Sequence, residues 1–212
     1  MQRNLVITKD GSHSVEIPEW QVSYHSMHGA VQESMHVFIE AGLKYWWNKH
    51  RKECRVFEMG FGTGLNALLT VNTGLKAIYE AVEAFPLEQE ITDALNYGMP
   101  ELARLHSCAW NTVVPVTDTF SIKKVQASLQ EYAPGIVVDV IYYDAFAPDV
   151  QPELWTEPMF AKMYGMLSPG GVLVTYCSKG AVRRAMQAVG FMVEKLPGPP
   201  GKREIIRAYA NE

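Results

Sequence analysis

The chain has 212 residues, of which 48% are hydrophobic and 20% are charged, and its net charge is −4 at pH 7. This size and composition predict one globular domain. The negative charge excludes a general attraction to polyanions, so nucleic-acid binding would need local basic patches. No apolar run reaches the ~20 residues that cross a bilayer, and no apolar signal stretch follows Met1. We therefore expect a cytoplasmic protein without a membrane anchor.

The cysteines and histidines predict neither disulfides nor a metal site. Cys54, Cys108 and Cys177 are odd in number and form no C-x-x-C pair. The six histidines lack an H-E-x-x-H arrangement and any cluster with carboxylates at metal spacing. We expect reduced, buried thiols and no metal.

The N-terminal region predicts a β-hairpin followed by a helix. Two short β-like pieces, residues 5–7 and 15–17, flank a turn at residues 9–11. Apolar residues then recur at spacings of three and four over residues 30–47, which is typical of an amphipathic helix. We expect the hairpin at the edge of the domain and the helix packed on it.

From residue 55 onward, short apolar runs alternate with helical patterns. The predicted strands are 55–59, 77–82, 112–116, 137–143 and 172–176, the predicted helices are 65–73, 87–96, 121–132, 153–167 and 181–189, and strands 191–196 and 204–209 close the chain. The alternation predicts an α/β fold with a doubly wound sheet of seven strands. The last two strands should form an antiparallel hairpin, because residues 197–201 are too few for a helical crossover.

These elements predict one domain over residues 1–212. Residues 1–50 form an N-terminal extension, and residues 55–212 form a Rossmann-like core. We find no internal repeat and no linker to a second domain.

A glycine turn follows the first strand of the core. Gly60, Gly62 and Gly64 are spaced two apart, and a helix is predicted from Leu65. Glycine permits positive φ angles and leaves room for a ligand, and the helix N-terminus offers free N–H groups. A dinucleotide would favour G-x-G-x-x-G, whereas E-x-G-x-G-x-G, which begins at Glu58, favours S-adenosylmethionine. The sequence therefore predicts a class I S-adenosylmethionine-dependent methyltransferase.

Acidic residues near this turn are candidate cofactor ligands. The Glu58 carboxylate could face the ammonium group of the cofactor. Glu83 ends the second strand about 20 residues after the glycines, where an acid accepts hydrogen bonds from the ribose hydroxyls. Asp118 could meet the adenine amino group, or it could cap the helix predicted from Ser121. The glycines could also simply make a tight turn, and Glu83 could be a solvated loop residue.

Asp144 is the predicted catalytic residue. It directly follows strand 137–143, so its loop should face the same crevice as the glycine turn. Methyl transfer depends mainly on alignment and dry surroundings, and Asp144 could orient an amine that must lose a proton. The alternative role of Asp144 is a helix N-cap. Phe146 and Trp155 could stack on a base or form part of the wall.

The C-terminal third is locally basic. Its cations could track phosphates, although scattered solvated charge is the alternative reading. Arg203 is the strongest candidate, because it lies in the glycine-proline loop near the expected crevice. The basic residues are Arg183, Arg184, Lys195, Lys202, Arg203 and Arg207.

Motifs throughout the chain resemble one family, the methyltransferase domain of the tRNA wobble-uridine modification enzyme MnmC. The loop D-A-F-A-P with the following P-E-L-W, and the ending G-K-R-E, are more specific than the glycine turn. The matching segments are 24–26, 29–30, 33–34, 36–38, 58–66, 83–87, 144–148, 152–155, 169–171, 182–184 and 201–204. Ala145 stands where the family usually has glycine.

This resemblance implies S-adenosylmethionine-dependent N-methylation of 5-aminomethyl-(2-thio)uridine at the tRNA wobble position. The implied partner is the anticodon stem-loop of tRNA, and a separate enzyme would supply the aminomethyl precursor. The flavin oxidase domain of the family would be absent, because the chain ends after the last strand. The resemblance assigns cofactor contacts to Gly60, Gly62, Gly64, Leu65, Asn66 and Asp144, catalysis to Asp144 and Phe146, and substrate contacts to Tyr24, Glu33, Ser34, Trp155, Lys202 and Arg203.

Other functions are compatible with the same residues. A methyltransferase for a small amine or a protein would suit the acidic composition. A non-catalytic module that binds an adenosyl ligand would have a blocked substrate opening. An NAD-dependent oxidoreductase is the weakest alternative, because Leu65 breaks its glycine fingerprint.

Overall fold

The computed structural model describes residues 1–210 and contains two β-sheets. The strands are β1 (Asn4–Ile7), β2 (His13–Ile17), β3 (Val22–Ser23), β4 (Cys54–Met59), β5 (Ala77–Glu83), β6 (Val113–Thr117), β7 (Phe120–Gln126), β8 (Val138–Tyr143), β9 (Leu167–Thr175), β10 (Met192–Pro197) and β11 (Glu204–Tyr209). The helices are α1 (Ala30–Ser34), a π-helical stretch (Met35–Lys44), α2 (Tyr45–His50), α3 (Leu65–Asn72), α4 (Gln89–Asp93), α5 (Glu101–Ser107), α6 (Glu157–Met166) and α7 (Gly180–Ala188), with 3₁₀ turns at Pro18–Trp20 and Pro152–Trp155. Residues 211 and 212 of the predicted core lie outside the described residues.

The main sheet has the predicted doubly wound architecture. Its strand order is β10-β11-β9-β8-β4-β5-β7-β6. The five strands from β9 to β7 are parallel, and β11 pairs antiparallel with both β9 and β10. The terminal antiparallel hairpin is therefore confirmed. Since β4 and β8 are adjacent at the centre, their carboxyl ends bring the glycine turn and Asp144 to the same edge of the sheet.

Each face of the sheet is covered by one apolar layer. One layer packs the π-helical stretch, α2, α3 and α5 against the sheet around Phe38, Trp46 and Leu68. The other packs α6 and α7 around Phe160 and Met186. Because side chains alternate along a strand, neighbouring residues of β4 and β8 enter opposite layers.

The sequence prediction fails at β7. Residues 121–132 were expected to form a helix, but residues 120–126 form a strand parallel to β5, and β6 pairs antiparallel with it at the sheet edge. The sheet therefore has eight strands where seven were predicted. Lys124 explains the error, because it occupies an inward position with 1% exposure and so hides the alternation of Phe120 and Ile122. Its ammonium donates to the His106 carbonyl oxygen at 2.7 Å and lies 4.7 Å from the Trp110 ring centroid.

The other differences are local. The helix predicted for residues 87–96 is the shorter α4, and α5 was not predicted. The helix predicted for residues 153–167 is a 3₁₀ turn followed by α6, which begins after Thr156. The predicted N-terminal hairpin is confirmed as β1 and β2, but it joins β3 in a separate three-stranded sheet and does not extend the main one. Within residues 1–210, no helix is long and apolar enough to span a membrane.

Candidate active site

A cavity of about 690 Å³ lies at the carboxyl ends of β4, β5, β7 and β8. This volume is within the range of small-molecule sites. The N-terminal extension closes its outer side with the segment from Trp20 to Ser26 and with Glu33 of α1. The loop between β10 and β11 adds Lys202. The cavity is therefore built jointly by the core, the N-terminal extension and the C-terminal hairpin.

The glycine turn is a tight connection that requires glycine. The φ angles of Gly60, Gly62 and Gly64 are 88°, 50° and 71°, all in the left-handed region. A Cβ atom at Gly60 would lie 3.1 Å from the carbonyl oxygen of Asp144, and one at Gly62 would lie 3.1 Å from the Tyr24 ring. The absence of side chains thus lets the end of β8 and the N-terminal extension approach the turn at the start of α3.

Glu83 connects the ends of β4 and β5. One carboxylate oxygen accepts a hydrogen bond from the Gly62 amide at 3.0 Å, and the other accepts from the Phe85 amide at 2.8 Å. A carboxylate has about four lone-pair sites, so both oxygens retain acceptor capacity toward the cavity. Glu83 can therefore hold a vicinal diol while it fixes the turn.

Asp144 has a strongly perturbed acidity. Its Oδ2 accepts a hydrogen bond from Asn66 Nδ2 at 2.9 Å. Burial raises the pKa of Asp144 to about 7, and the nearby Glu33 carboxylate raises it further, while the Asn66 hydrogen bond and Lys202 oppose the shift. Both protonation states of Asp144 are therefore populated near neutral pH, as general acid–base chemistry requires.

Glu33 and Lys202 form an ion pair beside Asp144. The Lys202 ammonium lies 2.8 Å from the Glu33 carboxylate and 3.9 Å from the centroid of the Tyr176 ring. The two side chains are 8% and 25% exposed. This pair joins the N-terminal extension to the C-terminal hairpin and places one charge of each sign next to the candidate catalytic group.

Three aromatic residues form one corner of the cavity, which we call the aromatic corner: Trp20, Tyr24 and Phe146. The Phe146 ring meets Tyr24 edge-on at 5.1 Å and Trp20 edge-on at 5.8 Å between centroids. Trp20 is 41% exposed. Burial raises the pKa of Tyr24 to about 12, so its hydroxyl is neutral. The corner therefore offers uncharged aromatic rings to the cavity, with Trp20 partly exposed.

Most of the predicted site residues meet in this cavity. Those that line it are Tyr24, Glu33, Gly60, Gly62, Leu65, Asn66, Glu83, Asp144, Phe146 and Lys202. Those that do not are Ser34, Glu58, Gly64, Asp118, Trp155 and Arg203. Gly64 serves the turn, since its left-handed φ angle starts α3.

Asp118 lies at the wrong end of the sheet for the predicted adenine contact. It is exposed in the turn between β6 and β7. The next strand begins at Phe120, which pairs with Ala77, the first residue of β5, whereas Glu83 is the last. The predicted adenine contact assumed a parallel third strand before Asp118, but β6 pairs antiparallel with β7, and the helix from Ser121 that Asp118 could have capped does not form.

The Glu58 carboxyl does not face the cavity. Its side chain is 0% exposed, and burial raises its pKa well above 4.5. The predicted contact between Glu58 and the ammonium group of the cofactor stays a prediction, although Glu58 does not line the cavity and its burial disfavours the charged form. Asp144, which directly follows the neighbouring strand β8, does line the cavity, as do Glu33 and Glu83.

Two predicted substrate contacts are buried outside the cavity, and a third is exposed but does not line it. Trp155 is 6% exposed, and its indole N–H donates to the Phe146 carbonyl oxygen at 2.8 Å, which holds the loop after Asp144. Ser34 is 1% exposed within α1. Arg203 is exposed beside Lys202 but does not line the cavity.

Several lining residues were not predicted. Arg3 donates to the carbonyl oxygens of Phe85 at 2.8 Å and Pro86 at 3.0 Å, and so fixes the loop after Glu83. Ser128 and its neighbours line the cavity directly after β7. A correct assignment of β7 would have predicted them, because they follow their strand as Glu83 follows β5. The position of Trp20 has no comparable signal in the sequence.

The comparison with protein families identifies the chemistry. The model of a family described as S-adenosyl-L-methionine-dependent methyltransferases matches residues 102–211, more than half of the chain. The chain belongs to this methyltransferase family. The cofactor of this methyltransferase is therefore S-adenosyl-L-methionine, as the glycine turn predicts.

Similar proteins confirm the resemblance to MnmC. The methyltransferase is 31% identical over 204 residues to the tRNA 5-methylaminomethyl-2-thiouridine biosynthesis bifunctional protein MnmC of Aromatoleum aromaticum, with 87% of this chain and 32% of the relative covered. It is 33% identical over 207 residues to the protein of the same name in Magnetococcus marinus, with 88% and 31% covered. The chain thus spans about a third of the length of these curated relatives.

Solved structures share the fold. The crystal structure of MnmC2 from Aquifex aeolicus superposes with a TM-score of 0.82 at 24% identity and covers 98% of this chain and 70% of that one. Spermidine synthase from Thermotoga maritima superposes with a TM-score of 0.63 at 15% identity and covers 98% and 68%. Both likenesses extend over nearly the whole chain, including the N-terminal extension.

Proposed function

We propose that this methyltransferase N-methylates the aminomethyl group of 5-aminomethyl-(2-thio)uridine at the wobble position of tRNA, giving 5-methylaminomethyl-(2-thio)uridine. The main support is Asp144, a carboxyl group with a pKa of about 7 in a cavity between the glycine turn and the aromatic corner. The names of the MnmC relatives supply the substrate.

The cofactor would be held by residues of the core. Gly60 and Gly62 leave the backbone of the turn open, and Glu83 accepts hydrogen bonds from the ribose hydroxyls. When bound, S-adenosylmethionine supplies an electrophilic methyl group on a positively charged sulfur. The surrounding burial keeps this region dry, which favours the displacement.

Asp144 would prepare the amine. An aliphatic amine has a pKa of about 10 and is protonated at neutral pH, so it must lose a proton before it attacks. The ionised Asp144 accepts a hydrogen bond from the ammonium group and then takes its proton on a carboxylate oxygen. Because the pKa of Asp144 is about 7, it is closer to the pKa of the amine than that of an ordinary carboxylate would be.

The aromatic corner would hold the base. Trp20 is the exposed member and Phe146 follows the catalytic residue by two positions, so a flat base beside them would present its substituent toward Asp144. Aromatic stacking on an unpaired base contributes about 1–3 kcal/mol. Recognition of an extruded base from an anticodon loop would use this surface.

The basic residues near Lys202 would contact phosphates. Three basic side chains lower the pKa of Glu204 and so lie close together at the start of β11: Lys195, Arg183 and Arg203. Lys195 pairs with Glu204 at 2.7 Å, and Arg203 is exposed. This local patch supports binding of an anticodon stem-loop by a protein of negative net charge.

The rest of the proposal follows from this chemistry. The reaction takes place in the cytoplasm on tRNA, needs no membrane contact, and uses alignment and a base without a metal. An earlier reaction must supply the aminomethyl group, because the substrate amine must exist before it is methylated.

The test is incubation of the protein with labelled S-adenosylmethionine and tRNA from a strain that lacks this gene, followed by nucleoside mass spectrometry. We expect one methyl group on 5-aminomethyl-2-thiouridine, and no transfer by Asp144→Ala. Measurable cofactor binding without transfer to tRNA would contradict the proposal and would direct the search to small amines or proteins. A module that only binds the cofactor would transfer to none of these.

A further inference from the structure

A cluster of polar side chains lies in the core directly behind Asp144. Glu58 of β4, Tyr79 of β5 and Asn66 of α3 are 0%, 1% and 3% exposed. Within residues 1–210, both carboxyl oxygens of Glu58, Oδ1 of Asn66 and the hydroxyl of Tyr79 have no hydrogen bond of standard geometry. Buried polar atoms nearly always have a hydrogen-bond partner. The protons of this cluster must therefore be placed so that its members can hydrogen-bond to one another.

The groups that face Glu58 come from three elements and are close enough to change its acidity. Tyr79 and Asn66 stabilise the charged form, whereas Asp144 and Glu83 disfavour it. Tyr142 of β8 also lies near Glu58. Glu58 takes part in no ion pair in the described part of the chain. Since a fully buried carboxylate without a cation beside it is strongly disfavoured, the environment selects the neutral acid.

A neutral Glu58 supplies the donor that the cluster lacks. Asn66 uses its amide group to donate to Asp144 Oδ2 at 2.9 Å, which leaves its own Oδ1 in need of a donor. A neutral carboxyl group has one O–H donor and a carbonyl acceptor, and a tyrosine hydroxyl is also a donor. The Glu58 O–H can therefore serve Asn66, and the Tyr79 hydroxyl can serve Glu58. An ionised Glu58 would offer Asn66 no donor at all.

We propose that Glu58 is a neutral positioning residue, which holds Asn66 in the orientation in which its amide donates to Asp144. Glu58 then influences Asp144 through Asn66 and does not bind the ammonium group of the cofactor. The inference concerns the cofactor site alone, so it stands or fails independently of the tRNA substrate.

Two variants of the full chain separate these roles. Glu58→Gln is neutral and keeps a donor, and Glu58→Met has similar length and no donor. We would measure the dissociation constant of S-adenosylmethionine by calorimetry across neutral pH, where the titration of Asp144 affects binding of a cation. Besides Glu58, the groups that face Asp144 are Glu33, Asn66, Lys202, Tyr176 and Tyr79, and both variants leave them unchanged.

We expect the dissociation constant of S-adenosylmethionine for Glu58→Gln to lie within about twofold of the wild-type value. The midpoint of its pH dependence should also be the same. Glu58→Met should move the midpoint to higher pH, because a hydrogen bond to the charged form of Asp144 is weakened. Asn66→Ala should cause a similar shift, and the double variant should shift no further. A roughly 10-fold or greater loss of affinity in Glu58→Gln would overturn the proposal, since a charge-assisted contact would then have been removed.

Infrared spectroscopy gives a readout that needs no binding. At a pH where Asp144 is ionised, the wild type should show the carbonyl stretch of a protonated carboxylic acid, and Glu58→Gln should lack it. This comparison holds even if Glu58→Met does not fold. An identical spectrum for the two proteins, with no such band, would overturn the proposal.

Discussion

The cavity has two walls that are built in different ways. The cofactor wall consists of backbone turns at the ends of β4, β5 and β8, fixed by Gly60, Gly62 and the hydrogen bonds of Glu83. The opposite wall consists of side chains, chiefly the aromatic corner and the Glu33–Lys202 pair, from segments far apart in the chain. The backbone conformation of the cofactor wall tolerates few other residues, whereas a single substitution can change the opposite wall. Under the proposed function, the first wall would bind the cofactor and the second would select the substrate.

Asp144 lies where the two walls meet, so its substitution should have the largest effect. We expect Asp144→Asn to lower kcat by about 10²–10⁴-fold, the usual contribution of a general base, because an amide cannot take the proton. Single-turnover methyl transfer measures this. Asp149→Asn is the matched control, since Asp149 lies in the same loop with its side chain 81% exposed. A loss below tenfold in Asp144→Asn would mean that alignment alone carries the reaction.

Trp20→Ala tests the side-chain wall. Loss of one stacked base costs about 1–3 kcal/mol, so KM for tRNA should rise roughly 5- to 100-fold. The dissociation constant of S-adenosylmethionine should not change, because Trp20 belongs to the other wall. Trp20→Phe should restore most of the affinity, since it keeps an aromatic face. Equal effects on cofactor and tRNA would show that the walls are not independent.

Gly60→Ala tests the backbone wall. A left-handed conformation costs a non-glycine residue about 1–2 kcal/mol, and the new Cβ would press on the Asp144 carbonyl oxygen. The strain of the positive φ angle should lower Tm, whereas the contact with the Asp144 carbonyl oxygen should displace the turn and weaken cofactor binding by roughly 10-fold, or about 1.4 kcal/mol, by calorimetry. Gly74→Ala is the matched control, with a φ angle of 69° and no atom within 4 Å of the added Cβ. It should lower Tm by a similar amount and leave cofactor affinity unchanged.

The same contrast explains what could be predicted from the sequence. The glycine turn, Glu83 and Asp144 follow strands whose apolar runs are unambiguous, so their position at one edge of the sheet follows from topology. Glu58 belongs to the same motif, but its complete burial could not be predicted, because the direction of a side chain at a strand end depends on which neighbours bury it. The terminal hairpin was predictable from the length of its connection.

The side-chain wall was less predictable for physical reasons. Trp20 reaches the cavity only because β3 folds the N-terminal extension over the sheet, a long-range packing that no local pattern records. The assignment of β7 failed because Lys124 occupies a core position through contacts with His106 and Trp110, which are not adjacent in sequence. The error then misplaced Asp118.

The smallest effects should come from the ion pair, and their signs are opposite. Glu33 raises the pKa of Asp144 and Lys202 lowers it. Transfer needs the ionised carboxylate, so its rate should rise with pH through about 7. Glu33→Gln should move this rise to lower pH and Lys202→Met should move it to higher pH, each by about 1 pH unit.

The pH dependence of single-turnover transfer measures these shifts. Lys195→Met is the control, because that lysine belongs to β10 and pairs with Glu204. It should leave the midpoint unchanged. Shifts in the same direction for Glu33→Gln and Lys202→Met would indicate loss of packing at the junction of the two walls. Opposite shifts would show that the charges of Glu33 and Lys202 adjust the pKa of Asp144, a residue that the core positions.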